Sequence, residues 1–275
     1  MKVSMTVNDS ALQDFITRHP RLFVLTGAGC STDSGIPDYR DEAGGWKRRP
    51  PMTYQVFMGD AVARARYWAR SMIGWRSFGR ARHNAAHAAL ARLEAQGHIV
   101  LLVTQNVDGL HEAAGSTNVL DLHGRLDRVR CMGCERVVPR PEVQVMLESA
   151  NPVWVHLAAS DAPDGDADLD NQDFSQFREP RCQVCGGILK PDVVFFGEAV
   201  PRERIARAID ALESAGGMLV VGSSLMVHSG YRYAQMASRL GIPICAVNLG
   251  QTRADDLLTL KVQQSCSVAL DSLVA

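Results

Sequence analysis

The sequence has no apolar run near the roughly 20 residues that a bilayer-spanning helix needs. It also has little net charge, because 29 basic and 30 acidic side chains leave a formal charge of −1. That balance gives no general reason to expect binding to nucleic acid or to a membrane. The first 20 residues lack the apolar core of a secretion signal and carry acids that transit peptides avoid. We therefore expect a cytoplasmic protein, and the excess of 25 arginines over 4 lysines favours a bacterial source.

Cysteines are few and odd in number, at seven, but four of them form two C-x-x-C pairs. In a cytoplasmic chain such pairs indicate metal ligands more than disulfides. A redox pair is the alternative for either one, and the 47 residues between the pairs exceed the usual gap of about 15–20. Four thiolates fill the tetrahedral shell of zinc, which would make the ion structural. The predicted ligands of this one Zn²⁺ are Cys131, Cys134, Cys182 and Cys185. Of the other cysteines, Cys245 lies in an apolar run and is predicted to be a core residue.

Short apolar runs between turns predict the strands of a parallel sheet, and helical patterns alternate with them. The predicted strands are Leu22–Thr26, Ile99–Thr104, Val119–Leu122, Met218–Gly222, Ile244–Asn248 and, more weakly, Val268–Leu270. The predicted helices are His83–Gln96, Arg202–Ser214 and Tyr231–Leu240. This alternation is typical of a doubly wound α/β sheet.

Two segments interrupt the alternation, and at 275 residues the chain can hold one large domain with a smaller lobe. We assign 1–275 to a single domain. Its large lobe takes approximately 1–40, 81–125 and 189–275. Its small lobe takes approximately 41–80, which is helical, and 126–188, which carries the metal ligands. The functional site is expected in the crevice between the lobes.

A glycine turn follows the first strand. Gly27 and Gly29 precede Ser31, a reasonable helix N-cap, so backbone N–H groups and a helix dipole could hold a diphosphate. The dinucleotide fingerprint of dehydrogenases is incomplete, since Thr32 takes the place of its third glycine and no acidic residue ends a second strand about 20 residues on. A plain strand–helix turn is an equal alternative.

Two charged stretches have simpler explanations than binding. Six arginines in 64–82 could dock an acidic partner or nucleic acid, but the stretch lacks an aromatic stacking pattern and is expected to be a solvated face. The acidic stretch Asp161–Asp173 faintly matches a calcium loop. It has Leu169 where the loop needs glycine and Ser175 where it needs glutamate, so an exposed insertion is predicted.

Ordered motifs from about Arg21 to Ala269 resemble the sirtuins, NAD-dependent protein-lysine deacylases with a Rossmann-like sheet, a zinc ribbon and a helical insertion. The motifs are GAGCSTDSGIPDYR, TQNVDGLH, LHG, the paired C-x-x-C, KPDVVFFGE, VVGSSLMVHSG and VNLG. The long cysteine gap, APDGD and RYWARSMIGW resemble the class II branch with its mitochondrial lipoamidase-type members. The resemblance implies NAD as co-substrate and acyl-lysine proteins or peptides as partners. From the charge balance and the lack of a long apolar run we expect no membrane partner and disfavour nucleic acid, and a monomer is the favoured state.

The resemblance also implies roles for residues. Asn106 and Asp108 match the nicotinamide pocket, and His123 matches the base that activates a ribose hydroxyl, for which a reference pKa near 6.5 is suitable. A satisfied structural histidine is the alternative for His123. The residues implied to contact NAD are Gly27, Ala28, Gly29, Ser31, Ile36, Pro37, Asp38, Tyr39, Arg40, Gln105, Asn106, Val107, Asp108, Gly222, Ser223, Ser224, Asn248, Leu249, Gly250 and Cys266.

The substrate is implied to lie along a strand that pairs with its backbone. The residues concerned are Val193, Val194, Phe195, Phe196, Gly197 and Glu198. Tyr67 and Arg70 resemble a pair that grips a distal carboxylate in succinyl-removing sirtuins, and they share a helix face. A solvated Arg70 is the alternative, so acidic or long acyl groups are expected to compete with acetyl.

Two other functions remain open on the sequence: protein mono-ADP-ribosyltransfer, and a non-catalytic NAD- and zinc-binding scaffold. The first uses the same C1′ electrophile with a side-chain acceptor. The second predicts NAD binding without turnover.

Overall fold

The computed structural model describes residues 7–47, 50–157, 161–169, 172–271 and 273. The helices are α1 (Val7–Arg18), α2 (Tyr54–Gly59), α3 (Ala61–Phe78), α4 (Ala85–Ala95), α5 (Leu110–Ala113), α6 (Arg140–Ala150), α7 (Arg202–Glu213), α8 (His228–Arg239) and α9 (Cys266–Asp271). The strands are β1 (Leu22–Thr26), β2 (Ile99–Thr104), β3 (Val119–Asp121), β4 (Gly124–Cys131), β5 (Val137–Pro139), β6 (Asp161–Ala162), β7 (Asp166–Ala167), β8 (Leu189–Val193), β9 (Gly217–Val221), β10 (Ile244–Val247) and β11 (Leu260–Val262). Among the helices within these ranges, none combines the length and apolar character that crossing a bilayer requires.

The central sheet has six parallel strands in the order β11-β10-β9-β1-β2-β3. Side chains alternate across β1: Leu22 and Val24 enter one core, and Phe23 and Leu25 enter the other. Helices α1, α4 and α9 supply the first core, while α7 and α8 supply the second. Apolar side chains on both faces of each strand therefore require helices on both faces of the sheet, and the doubly wound α/β fold is confirmed.

The sixth predicted strand is wrong. Residues 268–270 lie in helix α9, and β11, a short strand that the sequence analysis did not predict, closes the edge beside β10. The apolar pattern of residues 268–270 is satisfied in the helix because Ala269 and Leu270 pack into the core under the sheet while Val268 remains exposed.

A third core lies outside the parallel sheet. It joins α2, α3 and α6 to an antiparallel sheet of order β5-β4-β8, around Trp68, Met72, Val129 and Leu147. Its members come from both segments that interrupt the strand–helix alternation. The chain therefore builds this core from two insertions that meet in space.

The acidic insertion is not an exposed loop where the structure describes it; residues 158–160 and 170–171 lie outside the described residues. Its β6–β7 hairpin packs on α3, and Ala167 and Leu169 are buried there. A side chain at Gly74 would lie 2.3 Å from the carbonyl oxygen of Gly165, so glycine permits this contact. Asp166 accepts two hydrogen bonds of 2.8 Å from Arg70.

The arginine-rich stretch is not simply a solvated face either. Arg64 is buried and pairs with Glu179 at 2.8 Å. Arg76 donates to the carbonyl oxygen of Val155 at 2.7 Å. With Arg70 bound to the hairpin, three of the six arginines hold the third core together and are not displayed to a partner.

Candidate active site

A cleft of about 510 Å³ lies at the carboxyl edge of the parallel sheet, bounded on its other side by the segment after β8. This is where parallel α/β sheets bind ligands, because turns at that edge leave a crevice. Most of the predicted NAD and substrate residues line it: Gly27, Ala28, Gly29, Asp38, Tyr39, Arg40, Gln105, Asn106, Val107, His123, Val193, Val194, Phe195, Phe196, Gly197, Glu198, Gly222, Ser223, Ser224, Asn248, Leu249 and Gly250.

The floor of the cleft is the glycine turn after β1. A side chain on Gly27 would lie 2.9 Å from the carbonyl oxygen of Gly222, and one on Gly29 would lie 3.0 Å from the same atom. The Gly29 N–H donates to that oxygen at 2.8 Å. The turns after β1 and β9 therefore touch through backbone, which requires glycine and leaves a shallow concave floor.

The predicted helix start at this turn is wrong. Two single turns of 3-10 helix follow, Ala28–Cys30 and Thr32–Ser34, and the Ser31 side chain makes no cap hydrogen bond. The Gly29 N–H donates to the Gly222 carbonyl and the Cys30 N–H donates to the Gly27 carbonyl, so these two groups are not free to hold a phosphate. The hydroxyl of Ser31 instead faces two predicted site residues.

Ser31 links Asn106 to Asp108. Its hydroxyl donates to Asp108 Oδ2 at 2.7 Å and accepts from Asn106 Nδ2 at 3.0 Å. Asn106 Nδ2 also donates to the Gly27 carbonyl at 3.0 Å, which fixes the amide orientation over the glycine turn. Burial raises the pKa of Asp108, and hydrogen bonds from Leu110 and Ser31 oppose that rise. Asp108 does not line the cleft; it acts on Asn106 through Ser31.

His123 lies between β3 and β4, where the cleft meets the substrate-facing segment. Its Nδ1 is 2.9 Å from the carbonyl oxygen of Gln105, and its Nε2 is 2.8 Å from the hydroxyl of Ser229. A carbonyl only accepts hydrogen bonds, so Nδ1 carries the proton and Nε2 is the basic atom of the neutral ring. Burial lowers the pKa of His123 to about 4. The ring is therefore a neutral proton acceptor at pH 7.

The substrate-facing segment Val193–Glu198 is bound to the base by its backbone, since Val194 N–H donates to the His123 carbonyl at 2.7 Å. Sequence reasoning missed the residue that shapes this segment, Lys190. Its buried ammonium donates to the Val193 carbonyl and to Glu198 Oε2, and that same oxygen accepts from Phe195 N–H. Glu198 is thus bonded within its own segment. The lysine that opens the motif KPDVVFFGE was the available signal.

A second missed residue is Trp46, which joins the cofactor loop to the substrate segment. The Arg40 guanidinium lies 3.9 Å above its ring, and the ring contacts Phe196 with a centroid distance of 5.9 Å. Tyr39 packs edge-on against the same ring. These contacts place the loop after the glycine turn over the mouth of the cleft.

Several predicted site residues do not line this cleft within the described residues. Ile36 and Pro37 border a small cavity of about 30 Å³ next to α3 and the β6–β7 hairpin. Cys266 is buried behind the turn at Gly222. Tyr67 packs on Phe195 from behind, and Arg70 bonds to Asp166. The structure therefore does not bring the Tyr67–Arg70 pair into the cleft.

The two C-x-x-C pairs meet at the end of β4. The sulfur atoms of Cys131 and Cys185 are 3.4 Å apart, and those of Cys134 and Cys182 are 3.8 Å apart. All four sulfurs lie within 4.8 Å of one another. Tetrahedral zinc with Zn–S bonds of about 2.3 Å separates its sulfurs by roughly 3.8 Å. The residues fit one structural Zn²⁺, and no coordination position would be left for substrate.

The fold and the cleft place the chain among α/β enzymes that bind a nucleotide at the carboxyl edge of a parallel sheet and carry a separate cysteine-bound metal. Within that class the chain belongs to the Sir2 family, whose family model matches residues 27–229.

The relatives are close in length as well as in sequence. A protein named NAD-dependent protein deacetylase from Xanthomonas campestris pv. campestris (strain 8004) is 64% identical over 270 residues, covering 98% of this chain and 92% of its own length. A solved complex of Sir2 with p53 peptide and NAD⁺ matches with a TM-score of 0.76 at 30% identity, covering 97% of this chain and 96% of its own. A Sir2 variant with deacetylated p53 peptide and 3′-O-acetyl ADP ribose matches with a TM-score of 0.78 at 30% identity, covering 96% of each chain. The predicted sirtuin family is confirmed.

Proposed function

We propose that the described cleft is the site of NAD-dependent protein-lysine deacylation. The protein transfers the acyl group of an acylated lysine to ADP-ribose and releases nicotinamide, as befits a chain 64% identical to an NAD-dependent protein deacetylase. The observation that carries the assignment of the site is the position of His123. Its unprotonated Nε2 lies in a cleft whose other walls are the glycine turn and the segment Val193–Glu198.

NAD supplies an electrophilic ribose carbon and a ribose hydroxyl when it is bound. The glycine floor would leave room for its diphosphate, and the residues after β9 and β10 would hold its adenosine end. Asn106, oriented by Gly27 and Ser31, would hold the nicotinamide end away from water. His123 Nε2 would take the proton of the ribose hydroxyl, since the neutral ring has its lone pair there.

We infer that the substrate backbone lies between Val193–Glu198 and the turn before α8, as an added strand. Lys190 and Glu198 hold the shape of one wall before substrate arrives, and preformed walls reduce the entropy lost on binding. Arg70 is engaged by Asp166, so we assign it no part in reading a carboxylate. Neutral acyl groups are then the preferred class.

Further assignments extend this proposal. The third core and the paired cysteines would form the small lobe, approximately 41–80 and 126–188, against the large lobe built on the parallel sheet. The long gap between the cysteine pairs and the hairpin inside it support placement in the class II branch. Two C-x-x-C pairs that meet as metal ligands, not as disulfides, support a cytoplasmic location, and acyl-lysine proteins would be the partners.

Incubation with NAD and acetyl-, succinyl-, glutaryl-, lipoyl- and long-chain-acyl-lysine peptides tests the proposal. Mass spectrometry follows free lysine peptide, O-acyl-ADP-ribose and ADP-ribosylated protein. We expect one neutral acyl class to disappear with an equal yield of O-acyl-ADP-ribose. His123→Ala should be inactive, while the exposed control His83→Ala keeps full activity.

Other outcomes would replace the proposal. ADP-ribose on protein without deacylation would indicate transferase activity, and NAD binding without turnover would indicate a scaffold. Preferential removal of succinyl or glutaryl groups would contradict our inference that Arg70 does not bind the carboxylate of an acidic acyl group.

A further inference from the structure

The imidazole of His123 is held at both ring nitrogens. Nδ1 donates to the Gln105 carbonyl at 2.9 Å, and Nε2 lies 2.8 Å from Ser229 Oγ. Ser229 is the second residue of α8 and lines the same cleft. The two contacts therefore come from opposite sides, one from the sheet edge and one from a helix that packs on it.

The proton positions follow from chemistry. Nδ1 must carry the proton because a carbonyl cannot donate. The neutral ring therefore offers only a lone pair at Nε2, and the Ser229 hydroxyl must donate to it. The atom that is to accept a proton during the reaction is thus occupied by a serine hydroxyl in the free protein.

The sheet-side anchor is itself rigid. Gln105 N–H donates to the Thr26 carbonyl at 3.0 Å, and its side-chain Nε2 donates to Ser223 Oγ at 2.8 Å. This ties the Gln105 carbonyl to the ends of β1 and β9. A hydrogen bond to Nδ1 alone still allows the ring to tilt about that bond, and a second anchor at Nε2 removes that freedom.

The helix-side anchor packs closely on Gln105. A Cβ on Gly230 would lie 2.5 Å from Oε1, at the far end of the Gln105 side chain. The first turn of α8 therefore lies against that side chain, and the neighbouring Ser229 is within hydrogen-bond distance of the ring.

We propose that Ser229 is a positioning residue for His123: it fixes the plane of the imidazole and directs Nε2 into the cleft until a substrate hydroxyl takes the place of the serine hydroxyl. This inference rests on the proposed role of His123 as the base. Ser229 itself takes no proton in the net reaction. Its contribution is to keep the base in the reactive geometry, and a misplacement of about 1 Å can cost about 100-fold in rate.

The test uses the full-length protein with Ser229→Ala, the rescue variant Ser229→Thr and the control Ser238→Ala, an exposed serine on the same helix. Steady-state kinetics with saturating NAD and an acyl-lysine peptide separate kcat from KM. We expect Ser229→Ala to lower kcat about tenfold with little change in either KM, well short of the ~10²–10⁴-fold loss from removing a general base. Ser229→Thr, which keeps the hydroxyl, should restore most of kcat.

A second readout does not depend on activity. In protein labelled with ¹⁵N-histidine, the His123 resonances are assigned by their loss in His123→Ala. The Nε2 resonance of the neutral ring should move downfield in Ser229→Ala, because an imine nitrogen that loses a hydrogen-bond donor is deshielded. It should stay in place in Ser229→Thr and Ser238→Ala.

The outcomes separate the two proposals. An unmoved Nε2 resonance, or a kcat within twofold of the unmodified protein, overturns the role of Ser229. A fully active His123→Ala protein overturns the role of His123 as base, whatever Ser229 does. A loss in Ser229→Ala that Ser229→Thr does not restore indicates disturbed packing and also counts against the positioning role.

Discussion

His123 owes its acid–base behaviour to burial. Burial is the largest cause of its low pKa of about 4, whereas an ordinary histidine titrates near 6.5. Because the pKa is lowered, the basic form is already complete at pH 7 and persists as the pH falls through 6.5. A base of such low pKa gives up driving force for proton transfer, which the fixed geometry at both ring nitrogens can offset.

The pH dependence of kcat/KM tests whether the pKa of His123 is as low as about 4. For a pKa near 4, kcat/KM should stay flat between pH 8 and about 5 as far as His123 is concerned, and fall only below that. Asp121 complicates the profile, since burial and then the charge of Glu112 raise its pKa to about 6. Measuring the pH profile of kcat/KM in Asp121→Asn removes the titration of Asp121 from the profile. An acid limb near pH 6.5 that survives in Asp121→Asn would contradict the low pKa of His123.

Sequence patterns identified residues whose chemistry depends on their own side-chain type. They were less successful with the residues that hold those side chains in place. His123, Asn106 and the four cysteines stand in motifs, and the structure places the first two in the cleft. Trp46 and the contact of Ser229 with His123 were missed, because the role of a serine or a tryptophan depends on the residue that it contacts. Those partners, His123 and Phe196, are distant in sequence.

At the scale of elements, the edge of the parallel sheet shows why short segments mislead. Strand β11 has three residues, one of them Lys261, whose ammonium reaches Asp255 at 2.7 Å, so its apolar pattern is minimal. Residues 268–270 look like a strand, but Ser265 precedes them and its hydroxyl accepts from Val268 N–H, as a helix cap does. Tertiary packing decides whether such a segment forms a strand or a helix. Three residues of sequence carry no information about that packing.

The four-cysteine site is expected to bind one zinc per chain and to stabilise the third core. Cys182→Ser should lose the metal and lower the melting temperature by on the order of 10 °C, because metal binding is part of the folding free energy. Elemental analysis and thermal unfolding measure both effects. Cys245→Ala is the control and should keep its zinc, because Cys245 is buried in strand β10, in the core between the parallel sheet and its helices. Unchanged zinc content in Cys182→Ser would contradict the ligand assignment.

The contact between α3 and the β6–β7 hairpin is expected to fail when Gly74 gains a side chain. A Cβ there would meet backbone atoms at 2.3 and 2.5 Å, which cannot shift without moving the hairpin. Gly74→Ala should therefore destabilise the protein by roughly 1–3 kcal/mol in urea unfolding and speed proteolysis near residue 165. Gly59→Ala, also helical but with nothing within 4 Å, should be neutral or slightly stabilising. Equal behaviour of the two variants would show that the hairpin is not docked as described.

For the whole molecule, periodicity predicted the parallel sheet because its strands are apolar on both faces and well separated. The interruptions of its pattern led us to expect both insertions in one small lobe. They did not predict the contacts inside that lobe, since these depend on α3 meeting α6 and the hairpin across more than 60 residues of chain. The parallel sheet alone predicts the location of the cleft, at the carboxyl edge of the sheet. The second wall of the cleft could not be predicted without knowing that β8 pairs with β4.

Buried neutral histidines should make the stability of the whole molecule depend on pH. Burial lowers the pKa of His87 to about 4, and that of His111 falls well below its usual value for the same reason. Between pH 6.5 and 4 the unfolded chain binds a proton at His87 that the folded chain does not, so stability is lost as the pH falls through this window. The contribution of His87 is about 1.4 kcal/mol per pH unit.

Comparison with His87→Gln isolates this contribution. Urea unfolding at several pH values between 6.5 and 4.5 gives the slope of the unfolding free energy for each protein. The opposing effect of Asp121, whose pKa is raised, is common to both and cancels in the difference. We expect the variant to have the shallower slope by about 1.4 kcal/mol per pH unit, even if it is less stable at pH 7. The exposed neighbour His83 lowers the pKa of His87 through its charge. His83→Ala should therefore change the slope of the unfolding free energy by much less than His87→Gln does. Equal slopes for the unmodified protein and His87→Gln would mean that His87, whose Nε2 lies 3.4 Å from Ser31 Oγ, titrates normally in the folded state and is open to water.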